Sequence, residues 1–313
     1  MKSPVVAIID VGSNTIKLLV AKKGSPLNVI EDKTCRTRII QGAYHIDKRL
    51  TEESIEAVCK NINRLVQRAK KYSPHHISIV GTSAIRDADN QKDFIERVLK
   101  LTGCHLQVLS GEEEALSISQ AVLQDPVLAN VGSFYLLDLG GGSLELIDYI
   151  NGSINQLVSM PTGAIRMADK FLENKSSKLI EAVAVKVNHF IHEEIKRSGF
   201  TLKNKKQPLV VTSGSLAVAK KLILKQNPEF NNESWQIPVI MLRSLYTDIA
   251  ALTLTQRLKL PGMPASHADI LPIALLIILF IADEIDADLI YYTKFNLRYG
   301  LATQCLAKII EDS

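Results

Sequence analysis

The sequence contains little cysteine and little net charge, and both shortages limit what the protein can be. Its four cysteines lack the short spacing of a metal site, so we expect reduced packing residues of a cytoplasmic protein. A formal net charge of +4 over 313 residues is only mildly basic, and we expect no nucleic-acid partner. The cysteines are Cys35, Cys59, Cys104 and Cys305.

Apolar runs long enough to cross a bilayer are also missing. The longest, Ile270–Ala282, is too short and begins around a proline, which favours a buried helix. Met1–Pro4 leads into an apolar segment without the pattern of a signal peptide. We therefore expect no membrane partner and a cytoplasmic location, and the length suits two domains of ordinary size.

The most informative stretch that is present is Asp138–Glu145, which holds three successive glycines between two apolar strands. Glycines let the backbone come close to a ligand, and successive amides can form a concave nest for a phosphate. Asp138 and Glu145 flank this turn, and two carboxylates beside a phosphate suit Mg²⁺. A glycine-rich hairpin that binds nothing is the alternative interpretation of this stretch taken alone.

The same arrangement occurs once more at the N-terminus, which weakens that alternative. Pro4–Ile9 is an apolar strand, Asp10–Thr15 is a second Asp-x-Gly turn, and Ile16–Ala21 is the following strand. Such duplication indicates two related halves. The two hairpins resemble those of the sugar kinase, actin and heat-shock chaperone superfamily, whose ribonuclease H-like α/β domains grip a polyphosphate between two loops.

That resemblance predicts an α/β chain of two actin-like domains with the active site in the cleft between them. We expect the first domain to cover residues 1–124, joined by a C-terminal helix at 298–313, and the second to cover residues 125–297.

Three further turns carry polar residues at the ends of predicted strands. Gly81–Arg86 and Thr212–Ser215 lie where open α/β sheets place their ligands. Ser110 is typical of a helix N-cap, and capping accounts for Glu112 and Glu113. It does not explain why a third carboxylate follows, so a catalytic role for one of them stays open.

Other predicted elements are a strand at Asn28–Cys35, an amphipathic helix from Thr51 to Tyr72, a helix of Lys178–Arg197 capped by Ser177, a helix from Met241 to Leu254, and a terminal helix from Leu297.

Taken in order, six motifs resemble those of the exopolyphosphatase/guanosine pentaphosphate phosphohydrolase (Ppx/GppA) family, in its short form without a C-terminal helical region. The motifs are Asp10–Thr15, Gly81–Arg86, Ser110–Ala115, Asp138–Glu145, Pro161–Arg166 and Thr212–Ser215. The resemblance implies Mg²⁺-assisted hydrolysis of the terminal phosphoanhydride of polyphosphate or of the 5′-γ-phosphate of guanosine pentaphosphate. It also implies that Glu114 is the catalytic base and that Asp138 and Glu145 hold the metal, with Asp10 nearby.

The expected substrate contacts follow from this chemistry, which needs positioning and charge neutralisation. Arg86 would clamp a phosphate, and Arg166, Lys220 and Lys221 would guide a long polyanion. Assembly as a homodimer is compatible with this interpretation. The expected phosphate-binding residues are Gly12, Ser13, Asn14, Thr15, Arg86, Gly140, Gly141, Gly142, Ser143, Gly214 and Ser215.

Two segments depart from the family pattern. In Ser266–Ala274 a histidine, His267, replaces the usual arginine, and no glycine follows Pro272. Ile273 and Ala274 should fill the space that adenosine takes in related kinases, which argues against ATP. The family's Arg-Leu-Gly-Glu-Gly loop is loosened to Arg38–Gly42.

Two other functions stay open at this point. One is a kinase-like, ATP-dependent phosphotransferase, which would need a nucleotide pocket. The other is a catalytically weak sensor that binds polyphosphate or guanosine tetra- and pentaphosphate.

Overall fold

The computed structural model describes residues 3–40, 48–227, 229–230 and 235–311. Gln41 and Gly42, the end of the predicted Arg38–Gly42 loop, lie outside the described residues. The strands are β1 (Val5–Val11), β2 (Thr15–Lys22), β3 (Asn28–Arg36), β4 (His76–Gly81), β5 (Leu106–Val108), β6 (Phe134–Leu139), β7 (Leu144–Ile150), β8 (Ser153–Met160), β9 (Leu209–Thr212), β10 (Gln236–Pro238) and β11 (Leu289–Tyr292).

Helices alternate with these strands over most of the described chain. They are α1 (Glu52–Lys70), α2 (Ser83–Arg86), α3 (Gln91–Thr102), α4 (Gly111–Val122), α5 (Ala164–Phe171), α6 (Glu181–Arg197), α7 (Gly214–Gln226), α8 (Val239–Ala250), α9 (Leu254–Arg257), α10 (Leu271–Glu284) and α11 (Leu297–Glu311). None of the described helices is both long and apolar enough to cross a membrane.

The chain divides into two compact units. The first unit is Met1–Ala129 together with Phe295–Ser313, and the second unit is Asn130–Lys294. Each unit is built on one mixed sheet, so the predicted α/β class is confirmed.

The two sheets share one strand order, which is direct structural evidence of the duplication. The order is β3-β2-β1-β4-β5 in the first unit and β8-β7-β6-β9-β11 in the second, where β10 adds an edge strand. In both sheets the first three strands of the unit are antiparallel neighbours. The remaining two strands of the shared order, β4 and β5 or β9 and β11, run parallel to the first strand of the unit. Even the irregularity between the second and third strands recurs, at Val20/Ala21 and at Asp148/Tyr149.

In the first unit, alternate side chains of β1 and β2 divide between the faces of the sheet. Ile9, Ile16 and Leu18 pack into the core with α1 and α3. On another side of the sheet, α11 packs against β1, β2 and α4. Arg298 on α11 donates to the Leu18 carbonyl at 3.2 Å and pairs with Asp32 at 2.6 Å, which ties the C-terminal helix to this sheet.

In the second unit, α10 is the central helix and contacts α5, α6, α7 and α8. Every residue from Leu271 to Leu279 is buried, as the apolar run predicted.

The predicted start of α6 is wrong. The helix begins at Glu181 rather than Lys178, and Ser177 does not cap it. The Ser177 carbonyl instead accepts Arg257 Nη2 at 2.7 Å, and the Leu179 amide donates to Ala250. These contacts hold the segment outside the helix, and Ile180, which directly precedes the helix, is 59% exposed.

The close approach of α11 and α4 generates a stability prediction. A Cβ at Gly300 would lie 1.9 Å from the Ser117 carbonyl oxygen. That oxygen belongs to the backbone of α4, which cannot move aside as a flexible side chain could. Gly300→Ala should therefore lower the free energy of unfolding by about 1–3 kcal/mol, measured by urea unfolding. Gly132→Ala is the matched control, because nothing lies within 4 Å of the added carbon. Equal stability of the two variants would contradict this packing.

Candidate active site

The turn between the first two strands has the same closing hydrogen bond in both units. In the N-terminal turn, Gly12–Thr15, the Gly12 amide donates to the Thr15 carbonyl at 3.1 Å. In the glycine turn, Gly140–Ser143, the Gly140 amide donates to the Ser143 carbonyl at the same 3.1 Å. A Cβ on either glycine would lie 3.3 Å from the acceptor oxygen, so both positions favour glycine.

The carbonyls of the glycine turn are bonded by the start of α5. Gly140 O accepts the Ala164 amide at 3.0 Å, and Gly141 O accepts the Ile165 amide at 2.9 Å. Gly142 O accepts the Gly163 amide at 3.3 Å. The helix's first amides, which have no partner within the helix, are thereby satisfied by the turn.

This contact requires glycine at position 163. A Cβ there would lie 2.5 Å from both the Gly141 carbonyl carbon and the Gly142 nitrogen. Only a residue without a side chain lets the two backbones come so close.

The amides of the glycine turn are arranged differently from its carbonyls. Within the described chain, no acceptor is bonded to the amides of Gly141, Gly142 and Ser143. Such successive amides form a nest that can bind an anion. The predicted phosphate-binding role of this turn is therefore compatible with its hydrogen bonding.

The N-terminal turn repeats part of this pattern. Ser13 O accepts the Ile39 amide at 3.2 Å, and Asn14 O accepts the Thr37 amide at 3.3 Å. These acceptors are the third and fourth residues after Asp10, as Gly141 and Gly142 are after Asp138.

Asp138 and Glu145 are direct cross-strand partners at the base of the glycine turn. Glu145 is almost completely buried, and its Oε1 accepts the Ser159 hydroxyl at 2.7 Å. Cross-strand side chains of such a pair lie on one face of the sheet, so the two carboxylates can act together on a cation.

This donor set fits Mg²⁺ with few protein ligands. Mg²⁺ is commonly held by one or two carboxylates and completes its octahedron with waters and phosphate oxygens. Among the described residues no cluster of three or more His, Cys, Asp or Glu side chains forms a complete metal cage. The pair Asp138 and Glu145 therefore fits a magnesium–phosphate complex better than a structural metal.

In the first unit, the equivalent aspartate has a different partner. Asp10 is opposite Lys17 rather than a glutamate. Burial raises the pKa of Asp10 above its ordinary value, and the nearby positive charges of Lys17 and Arg298 only partly offset that effect. Asp10 is thus a buried acid whose charged form is disfavoured by desolvation.

The three carboxylates at the start of α4 have separate roles. Glu113 and Ser110 form a capping box, and the Ser110 amide, which donates to Glu113 at 2.7 Å, lowers the pKa of that carboxyl. Glu112 is exposed, whereas Glu114 is buried. The capping explanation therefore covers Glu113 and leaves Glu114 for another function.

Glu114 contacts Arg86, which comes from α2. Arg86 Nη1 lies 3.1 Å from Glu114 Oε2 and also donates to the Leu109 carbonyl at 2.8 Å. The predicted base and the predicted phosphate clamp are thus in direct contact, and the guanidinium restricts the orientation of the carboxylate.

The Thr212–Ser215 turn lies beside the glycine turn. The Ser213 hydroxyl donates to the Leu139 carbonyl at 3.0 Å and accepts the Ser215 amide at 3.2 Å. His267 Nε2 would lie 3.4 Å from a Cβ on Gly214, so this histidine packs over the start of α7.

The residues predicted to guide a long substrate have diverse surroundings. Arg166 donates from Nε to the Gly142 carbonyl at 2.9 Å. Lys220 Nζ lies over the rings of Trp235 and Tyr292, at 4.9 and 5.8 Å from their centroids, and burial lowers its pKa. Lys221 is exposed.

Sequence reasoning missed Ser159 as the partner of Glu145. The Asn151–Gly152 turn is visible in the sequence, but a regular register counted from it would place Val158 opposite Glu145. The irregularity at Asp148/Tyr149 shifts the pairing by one residue and places Ser159 there instead. Gly163 was recognised only as part of a motif, and its contact with the glycine turn has no local sequence signal.

Together these features define an α/β protein with two duplicated sheet units, of which the second carries a turn suited to phosphate. The sequence matches the Ppx/GppA phosphatase family over residues 18–309, and the chain belongs to that family. It is therefore a phosphatase-type hydrolase by family.

Solved structures share its fold. An exopolyphosphatase from Cytophaga hutchinsonii is 20% identical, with a TM-score of 0.88 over 97% of this chain and 98% of that one. The Ppx/GppA enzyme of Aquifex aeolicus is 21% identical, with a TM-score of 0.78 over 96% of this chain and 99% of that one.

The raised pKa of Asp10 predicts a pH-dependent effect on stability. A carboxyl whose folded pKa is raised contributes stability at low pH, which is lost as pH rises through the folded pKa. Asp10→Asn should therefore be more stable than the wild type at neutral pH, without metal. The gain should shrink as pH falls toward the ordinary value of 3.8.

Urea unfolding in EDTA at several pH values checks this expectation. Asp248→Asn is the control, because Asp248 is an exposed carboxylate on α8. A stability difference that is independent of pH, or an Asn variant that is less stable at neutral pH, would contradict it.

Proposed function

We propose that the protein hydrolyses the terminal phosphoanhydride bond of inorganic polyphosphate, with guanosine pentaphosphate as a second substrate of the same chemistry. The observation that carries this proposal is the glycine turn, whose carbonyls are bonded by α5 and whose amides remain for an anion. Membership of a phosphatase family and the fold shared with the Cytophaga hutchinsonii exopolyphosphatase support it.

In the proposed reaction, water attacks the terminal phosphorus and the bond to the bridging oxygen breaks. Orthophosphate is released, and the shortened chain keeps the bridging oxygen. The amides of Gly141–Ser143 bind non-bridging oxygens of the chain. These donors are fixed before the reaction, so they stabilise phosphate charge without reorganising.

Glu114 orients the attacking water and accepts its proton. Its burial and its contact with Arg86 hold the carboxylate in one position. A base held in position contributes about 10²–10⁴-fold to the rate of such a step.

Asp138 and Glu145 would hold Mg²⁺. When bound, the ion would offset charge on the phosphate oxygens. The Ser159 hydroxyl orients Glu145 for this role.

The surroundings of α10 support polyphosphate over ATP. Pro272, Ile273 and Ala274 form the first turn of α10 and are buried within the core of the second unit. In related kinases, glycines at this position would leave room for adenosine, and the side chains here support the substrate expected from the sequence.

An activity panel tests the function. Release of orthophosphate is measured with long-chain polyphosphate, tripolyphosphate, guanosine pentaphosphate and ATP, each with Mg²⁺. We expect polyphosphate to be cleaved faster than ATP. Faster cleavage of ATP would favour a nucleotide-dependent enzyme, and tight binding of guanosine pentaphosphate without turnover would favour a sensor.

Glu114→Gln in the same assay tests the base. The substitution keeps size and removes basicity, so the rate should fall by about 10²–10⁴-fold while substrate binding persists. Glu113→Gln is the matched control, because glutamine also serves in a capping box. Wild-type rates in both variants would remove Glu114 from the reaction.

A magnesium titration tests the carboxylate pair. Asp138→Asn and Glu145→Gln should each raise the Mg²⁺ concentration that gives half the maximal rate, since each removes a charged oxygen ligand. Glu112→Gln, an exposed carboxylate on α4, serves as the control. If both pair variants titrate like the wild type, the metal is held elsewhere.

A further inference from the structure

Arg166 makes more contacts with the glycine turn than a residue that only guides substrate would need. Its backbone amide donates to Gly141 O at 3.2 Å, and its Nε donates to Gly142 O at 2.9 Å. The Gly142 oxygen thus accepts a cationic donor in addition to the Gly163 amide.

The N-terminal turn shows that this guanidinium is not needed to form the turn. There, the Thr37 amide donates to Asn14 O, as the Gly163 amide donates to Gly142 O in the glycine turn. The Ile39 amide donates to Ser13 O, as the Ile165 amide donates to Gly141 O. The residue after Ile165 is Arg166, and the residue after its counterpart Ile39 is Ile40. The apolar, buried Ile40 therefore occupies the position that corresponds to Arg166. Both turns nevertheless close with the same 3.1 Å hydrogen bond.

A hydrogen bond to one end of a peptide group changes the other end. The Gly142 carbonyl and the Ser143 amide belong to the same peptide, so a cation at the oxygen increases the positive character of the N–H. Charge-assisted bonds are roughly twice as strong as neutral ones, and linked bonds polarise one another. The half-buried setting of Arg166 reduces solvent screening of this effect.

We propose that Arg166 is a positioning residue that orients and polarises the Ser143 amide through the Gly142 carbonyl, and so strengthens the grip of the glycine turn on phosphate oxygens. This inference rests on the proposed function and deepens it. Arg166 acts here through the turn and not as a contact along a polyphosphate track.

Kinetics of three variants separate these roles. Arg166→Met removes the charge and the donors while keeping the length of the side chain, and Arg166→Lys keeps the charge without the planar guanidinium. Lys170→Met, an exposed position on the same helix, is the control. We expect Arg166→Met to lower kcat about 10–100-fold, as loss of an outer-shell partner typically does.

The comparison of substrates decides between positioning and direct contact. For a positioning residue, the loss should be the same with tripolyphosphate and long-chain polyphosphate and should not change with salt. Arg166→Lys should lose less than Arg166→Met. A rise in KM that grows with chain length and shrinks with salt would instead show a direct contact and overturn the proposal.

A spectroscopic readout makes the test independent of turnover. In protein labelled with ¹⁵N-serine, the Ser143 amide resonance, identified by its loss in Ser143→Ala, should move upfield in Arg166→Met and stay in place in Lys170→Met. An unchanged resonance would overturn the proposal even if stability falls. If the wild type cleaves no phosphoanhydride, the proposed function fails, and this resonance alone decides whether Arg166 polarises the turn.

Discussion

The second unit depends on hydrogen bonds from α5 to the carbonyls of the glycine turn. The carbonyl and the amide of one peptide group point in opposite directions. Because α5 and Gly163 bond the carbonyls of Gly140–Gly142 on one side of the turn, amides of the turn point to the opposite side. The helix gains partners for its first amides, and the turn gains a fixed shape. Gly163 is the condition for both, because any side chain there would separate the two backbones.

Duplication has preserved the backbone of the two turns more closely than their chemistry. Both close with the same bond and are held by amides of the segment that follows the third strand of the unit. At the cross-strand position facing the aspartate, however, one unit has Lys17 and the other has Glu145. A single change of charge sign gives one turn an ammonium group and the other a second carboxylate, so only the latter carries an acidic pair for a cation.

Local sequence patterns predicted the elements whose stabilising contacts are local or periodic. Short apolar runs located β1, β2 and β6, and the duplicated hairpins predicted the two related sheets. The continuous apolar run predicted α10, since burial on every side needs no special partner.

Contacts between distant segments could not be predicted in the same way. Ser177 has the chemistry of an N-cap, but its carbonyl accepts a hydrogen bond from Arg257, 80 residues later in the chain. Lys220 belongs to a run of basic residues, yet its position is set by the rings of Trp235 and Tyr292. Arg86 and Glu114 were each predicted to act on phosphate or water, and their mutual contact joins segments 28 residues apart. In each case the partner is chosen by the tertiary fold.

The return of α11 to the first unit affects the order in which the chain can fold during synthesis. The second unit is one continuous segment, Asn130–Lys294, and its described strands are synthesised before α11. The first unit is discontinuous: β1 and β2 emerge first but must wait for α11, which packs on them and pairs Arg298 with Asp32. Domains generally fold as units, the N-terminal one first. Here the part of the protein that is synthesised first is completed last, and until then the apolar surface of β1 and β2 that α11 covers stays exposed to water and to other chains.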